Sequence, residues 1–124
     1  MISLSKTILT IDDSRTMRDM LMLALSDAGY RVVQAVDGVH GLEVLGSEAP
    51  DVIITDINMP RMDGFGVIEN VRKDERHRAT PILVLTTESD ATKKDRARAA
   101  GATGWIVKPF NPEKLVSAIR RVAA

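Results

Sequence analysis

Residues 82–87 read ILVLTT, four bulky apolar side chains on consecutive positions followed by two threonines. A strand with one wet face alternates apolar and polar residues, so an unbroken run predicts a strand covered on both faces, as in a parallel sheet flanked by helices. Four more β-rich runs accompany Ile82–Thr86: Thr7–Ile11, Arg31–Ala35, Val52–Thr55 and Gly104–Val107. Amphipathic stretches separate them. In the first, Met17, Met20, Leu21, Ala24, Leu25 and Ala28 fall on one stripe, Arg15, Arg18 and Asp19 lie off it, and Gly29 follows as a stop. In the last, Asn111 can cap, Pro112 suits the first helical position, and Leu115, Val116, Ile119 and Val122 form the inner stripe. Three more helices are expected over 37–45, 63–72 and 90–100, each opened by an aspartate suited to a helix N-terminus. Strand and helix alternating in this way require right-handed crossovers. The expected fold is therefore α/β, an open doubly wound sheet of five parallel strands with five helices on both faces.

At 124 residues the chain can bury roughly two-thirds of its unfolded surface, which suffices for one core. No linker, repeat or low-complexity tract divides it, so 1–124 reads as a single domain. Cysteine is absent, which excludes disulfides, thiolate zinc sites and cysteine nucleophiles. Seventeen basic residues balance seventeen acidic ones, so nothing in the net charge draws the chain to nucleic acid or an anionic membrane. The opening MISLSKTILT has the pattern of neither a signal peptide nor a membrane span. A soluble, cytoplasmic protein is expected.

In doubly wound sheets, ligands bind beyond the carboxyl ends of the strands, where the strand order reverses. The first strand runs into Asp12 and Asp13, the third into Asp56, the fourth ends in Thr86 and Thr87, and the fifth runs into Lys108 and Pro109. With strand order 2-1-3-4-5, the three carboxylates share one pocket. At about 4 Å and an effective dielectric near 20, each ionised pair repels by roughly 4 kcal/mol, which protons or a cation must relieve. Magnesium, held by oxygen ligands with several waters retained, meets that need and leaves a side open to a phosphoryl oxygen. Lys108 would bring positive charge to the same anion and Thr86 a hydroxyl donor. The set suits phosphoryl transfer to a carboxylate. Taken singly, each residue also has a plainer use: Asp13 beside Ser14 as a helix cap, Thr86 as a buried strand residue, Lys108 as a solvated lysine.

IDDS at 11–14, TDINMPRMDG at 55–64, LTTE at 85–88 and KPF at 108–110 resemble the receiver domains of two-component response regulators, over nearly the whole chain and closest to the single-domain CheY-like chemotaxis type. The resemblance implies a flavodoxin-like sheet and no output domain. It also implies that Asp56 accepts phosphate from a phosphohistidine on a CheA-like sensor histidine kinase. Asp12, Asp13, Asp56 and the backbone carbonyl of Asn58 would hold Mg²⁺, and Lys108 would pair with the phosphoryl group. Thr86 and Trp105 would be the switch pair, and Asn58 and Glu88 would tune dephosphorylation. The output face would be the fourth helix, fifth strand and fifth helix, offered by a monomer to a flagellar motor switch protein. Lys108–Pro109 matches the family's cis peptide. Such a protein is no conventional enzyme, although it promotes its own phosphorylation and dephosphorylation. A phosphate sink for a chemotaxis kinase has the same residues. A haloacid-dehalogenase-like phosphatase wants a second aspartate two positions after its nucleophile, where Ser14 and Asn58 stand instead. A flavin-binding module of the same architecture lacks a glycine-rich phosphate loop here.

Overall fold

The structure, a computed structural model, describes residues 5–123. The extremes of the 1–124 span, and with them the first four residues of the N-terminal segment tested for a signal peptide, lie outside the described residues. The strands β1 (Thr7–Ile11), β2 (Arg31–Ala35), β3 (Val52–Thr55), β4 (Ile82–Thr86) and β5 (Gly104–Val107) form one parallel sheet in the order β2-β1-β3-β4-β5. The helices are α1 (Arg15–Asp27), α2 (Gly38–Ser47), α3 (Gly64–Lys73), α4 (Ala91–Ala100) and α5 (Pro112–Val122). A 3-10 turn at Glu75–His77, absent from the sequence expectation, links α3 to β4.

Successive side chains of a strand point to opposite faces, and the core divides accordingly. Leu9 and Ile11, Ile53, and Ile82 and Val84 meet α2, α3 and α4 through Leu45, Phe65, Ile68 and Ala97. Ile8, Val52 and Ile54, and Leu83 and Leu85 meet α1 and α5 through Leu21, Leu25, Leu115 and Ile119. The β4 run is buried at every position, as its composition requires. Along α1 the buried residues are Leu21 and Leu25, whereas Met20, assigned to the inner stripe from sequence, is 45% exposed. Its position lies at the margin of the stripe, whose buried centre is Leu21 and Leu25.

Each helix begins with a side-chain cap. Ser14, Asp37, Asp63, Asp90 and Asn111 accept from the backbone N–H of Met17, His40, Gly66, Lys93 and Lys114 respectively, Asp90 also from Thr92. The caps fix where each helix leaves the loop that follows a strand, and those loops carry the chemistry. Gly29 and Gly101 follow α1 and α4 at φ values of 93° and 117°, in the left-handed region that glycine enters without strain.

Leu25→Ala should lower the free energy of unfolding by about 2–5 kcal/mol, because a fully buried leucine leaves a cavity. Leu23→Ala, two residues away on a side chain 67% exposed, should stay within about 0.5 kcal/mol of the parent in urea unfolding.

Candidate functional site

The parallel ladder continues one residue past the strand ends, and this places the reactive groups. Asp12 donates its backbone N–H to Ala35 O (3.1 Å), Asp56 donates to Ile11 O (3.0 Å), and Lys108 donates to Thr86 O (2.8 Å). Asp12 and Asp56 therefore emerge side by side from neighbouring strands, and Lys108 emerges beside the end of β4.

The Lys108 ammonium donates to Asp12 Oδ2 at 2.9 Å and to Asp56 Oδ2 at 2.8 Å. Side-chain exposure is 11% for Lys108, 3% for Asp12 and 11% for Asp56, so the bridge is largely out of solvent. The remaining carboxylate oxygens take backbone donors: Ser14 N–H to Asp12 Oδ1 at 2.9 Å and Ile57 N–H to Asp56 Oδ1 at 2.6 Å. Burial raises the Asp12 carboxyl above its ordinary value, outweighing the hydrogen bonds from Ser14 and Lys108, while the Asp56 charge pushes the same way. Burial also opposes the charge on Lys108, but its hydrogen bonds to Asp56 and Asp12 prevail and raise its pKa, so it stays an ammonium at neutral pH. Asp13 is exposed, and one oxygen from each of Asp12, Asp13 and Asp56 lies within 4.8 Å of the others. Capping of α1 falls to Ser14, so the plainer use of Asp13 is not what this geometry displays. Three hard oxygen donors, two buried and one facing solvent, fit a small divalent cation that keeps part of its water shell.

A second group gathers around Glu88. Thr86 is fully buried, and its hydroxyl oxygen accepts from Glu88 N–H at 3.3 Å. Trp105 packs against the core on the α4 side and donates its indole N–H to the Glu88 carbonyl at 3.1 Å. Asn58 Nδ2 lies 3.5 Å from Glu88 Oε1, and Lys93 Nζ donates to the same oxygen at 2.9 Å. Among the described residues no side-chain hydrogen bond joins Thr86 to Asp56 or Lys108. Gly64 donates to Ile57 O at 2.8 Å, and a Cβ there would run into the Asp56 carbonyl oxygen, so α3 approaches the Asp56 loop only because position 64 is glycine. The Lys108–Pro109 bond is cis.

Sequence reasoning missed three supports. Arg18 donates to the Asp12 carbonyl at 2.8 Å from the polar side of α1. Lys93 in the first turn of α4 holds the Glu88 carboxylate. Asp37 is more than a cap: it is 6% exposed, and Arg61 Nε and Nη2 reach its two oxygens at 2.8 and 3.1 Å. Arg61 has a φ of 66°, and its guanidinium ties the β3–α3 loop to the start of α2. These partners stand 24 residues apart, and only an aspartate just beyond the end of β2 hinted at a polar role there.

Residues 8–120 match the response regulator receiver domain. The chain belongs to that family, the CheY-like domains of two-component signalling, which are not conventional enzymes. The crystallised chemotaxis protein CheY4 of Vibrio cholerae is 46% identical with a TM-score of 0.92, over 96% of this chain and 99% of that one. Chemotaxis protein CheY1 of Helicobacter pylori is 42% identical over 87% of this chain and 89% of its own. A probable transcriptional regulator, ycf27 of Guillardia theta, is 41% identical over 93% of this chain but 44% of its own length. The chain thus spans about half the length of regulators of the latter kind. Among the described residues no helix is long and apolar enough to cross a membrane.

Arg61, through its hydrogen bonds, and then the His40 N–H hold the Asp37 carboxyl below its ordinary value. A carboxyl depressed on folding contributes stability that is complete above its unfolded value of about 3.9 and is lost as pH falls through the lower folded value. Arg61→Gln should therefore melt below the parent at pH 7, and the gap should close on acidification below about pH 3.9. A gap constant from neutral to strongly acidic pH, measured by thermal unfolding, would remove the ion pair as its cause.

Proposed function

We propose that Asp56 is the phosphoacceptor of a signalling switch that takes its phosphoryl group from the phosphohistidine of a sensor histidine kinase. The observation that carries this reading is the Lys108 ammonium bridging Asp56 and Asp12 beside Asp13. Asp56 shares the Lys108 ammonium with Asp12 and has a cluster of hard donors next to it. In the transfer, an Asp56 carboxylate oxygen forms the new bond to phosphorus as the bond from phosphorus to the imidazole nitrogen breaks; with a proton already on the other ring nitrogen, or taken from solvent, the donor histidine leaves neutral. Asp12, Asp13, Asp56 and the Asn58 backbone carbonyl would hold Mg²⁺, which when bound neutralises charge on the phosphoryl oxygens.

The chain's own residues do the rest. Lys108 screens the carboxylates before transfer and meets the phosphoryl oxygens after it, a change of partner that a compact ammonium on a flexible stem can make. The buried Thr86 hydroxyl stands on the last residue of β4 with its proton free to donate, since its oxygen accepts from Glu88 N–H. Thr86 and Trp105 both bond to the backbone of Glu88, so displacement of Thr86 towards the site reaches Trp105 through one residue. The new charge, about −2, biases that pair between two arrangements and so alters the face made by α4, β5 and α5. Asn58 and Glu88, flanking the site, would set how quickly water removes the phosphoryl group.

Likeness to the chemotaxis proteins CheY4 and CheY1 over nearly their full lengths supports a role in chemotaxis; on that reading the receiver unit of 1–124 would act as a monomer on a flagellar motor switch. A phosphate sink that drains a chemotaxis kinase uses the same site. The match to less than half of ycf27 favours a second reading, in which the same switch drives the remainder of a longer transcriptional regulator.

With Mg²⁺ and acetyl phosphate, intact mass should rise by one phosphoryl group. Asp56→Asn or excess chelator should abolish the gain, and an undiminished gain in Asp56→Asn would move the acceptor elsewhere. Lys108→Arg should take up phosphate yet lose most of the phosphorylation-dependent change in Trp105 fluorescence, because a planar guanidinium cannot occupy the ammonium's position between two carboxylates.

A further inference from the structure

Lys93 is misplaced by the ordinary logic of helices. It is the third residue of α4, where the positive end of the helix dipole disfavours a cation. Lys94, its neighbour, is exposed, but the Lys93 ammonium turns back out of the helix to Glu88 Oε1 at 2.9 Å. Asn58 Nδ2 approaches that same oxygen from the β3–α3 loop at 3.5 Å. Glu88 has little freedom otherwise: its N–H is bound to Thr86 Oγ1 and its carbonyl to the Trp105 indole. With the backbone pinned at both ends, the direction of the carboxylate is set by what it pairs with. Asn58 lies two residues after Asp56, and Glu88 two residues after Thr86, on loops that leave adjacent strands. Asn58 and Glu88 therefore meet between the loops that follow β3 and β4, while Asp12 and Asp13 follow β1 on the other side of β3, and Lys93 reaches Glu88 from α4.

We propose that Lys93 is a positioning residue for the dephosphorylation step, holding Glu88 against Asn58 as a bar that restricts the approach of water to a phosphoryl group on Asp56. This rests on the phosphoacceptor reading of Asp56. In the step itself the water oxygen forms a bond to phosphorus, the bond from phosphorus to the Asp56 oxygen breaks, and the water protons pass to phosphate and solvent. Asp56 returns as a carboxylate. Lys93 touches none of the reacting atoms and acts only through Glu88. The Glu88 carboxyl lies below its ordinary value, chiefly through the Lys93 hydrogen bond and then that of Asn58, so the pair is ionised at neutral pH. Side-chain exposures of 42% for Lys93 and 27% for Glu88 make the pair of little account for stability. Its effect belongs to a rate.

The experiment compares the parent with Lys93→Gln, Lys93→Arg and Lys94→Gln, each loaded with acetyl phosphate and Mg²⁺ and then freed of donor. Loss of the phosphoryl group should quicken about two- to fivefold in Lys93→Gln, the range over which a half-exposed ion pair can move a barrier. Lys93→Arg should restore the parental rate. Lys94→Gln, which removes the same charge one residue away, should leave the rate unchanged, and melting temperatures should agree across the set. In a Glu88→Gln background, Lys93→Gln should add nothing, since it acts through that carboxylate. Equal rates in Lys93→Gln and the parent, a matching change in Lys94→Gln, or an additive double variant would each overturn the proposal. Without phosphate, the Asn58 side-chain amide resonance should shift in Lys93→Gln and not in Lys94→Gln, and an unmoved resonance would also overturn it. Failure of the parent to gain mass would instead count against the acceptor reading, which the amide measurement does not use.

Discussion

Two carboxylates that leave adjacent parallel strands at the same level repel each other strongly in a largely buried edge unless a counter-charge stands between them. The register of β1 against β3 brings Asp12 and Asp56 to that level, and Asp13 follows. At the observed spacing an ionised pair repels by roughly 3–4 kcal/mol at an effective dielectric near 20, a sizeable fraction of the stability of a small domain. Lys108 relieves this from β5, across the intervening β4. Its need to touch both acids explains why one lysine at the far strand is buried to 11% exposure. The relief is partial, because burial still raises Asp12 while Asp13 adds a further acid. The edge therefore remains short of positive charge, and a site short of positive charge is one that a divalent cation can complete.

The surrounding loops are braced so that this strained edge does not relax by moving apart. Ile57 and Ser14 each give a backbone N–H to one of the acids, and Arg18 holds the carbonyl of Asp12. Gly64 lets α3 press against the Asp56 carbonyl, and the Arg61–Asp37 pair joins the same loop to α2. Most of these contacts are to main chain. The side chains of the acids therefore remain oriented by short, local hydrogen bonds, while the longer reach of Lys108 supplies the adjustable element. Geometry fixed on one side and mobile on the other suits a site that must accept and later release a charged group.

The fold was legible in the sequence to the residue along all five strands, because a buried parallel strand of β-branched residues bounded by acids, glycines and polar turns has few other readings. Helix starts were legible for the same reason: Asp37, Asp63, Asp90 and Asn111 each sit at the cap. The convergence of Asp12, Asp13 and Asp56 followed once the strand order 2-1-3-4-5 was assumed, without any distance, and Lys108 was expected near the same anion. What escaped were pairings between loops. Asp37 with Arg61 and Glu88 with Lys93 depend on where two side chains end in space, and neither the period of a helix nor that of a strand encodes this. Met20 escaped for a different reason: a helical stripe drawn from sequence is wider than its buried centre, Leu21 and Leu25.

The two groups of side chains at the sheet edge differ in kind, and that difference bears on how a signal could leave the site. The Asp12–Lys108–Asp56 group is buried, charged and joined by charge-assisted hydrogen bonds, whose loss is costly. The group around Glu88 is more exposed apart from Thr86, and beside the Lys93 ion pair at 2.9 Å it is built on weaker contacts of 3.1–3.5 Å to its backbone and to Asn58. On the phosphoacceptor reading, energy put into the first group by a new charge would be released where rearrangement costs least, and that is the second. Thr86 is the hinge between them, since its carbonyl binds Lys108 N–H while its hydroxyl binds Glu88 N–H. Trp105 lies on the same face of the sheet as Thr86, in register with Val84 on the neighbouring strand. A movement of Thr86 thus has a packed, hydrogen-bonded route to the open edge of β5.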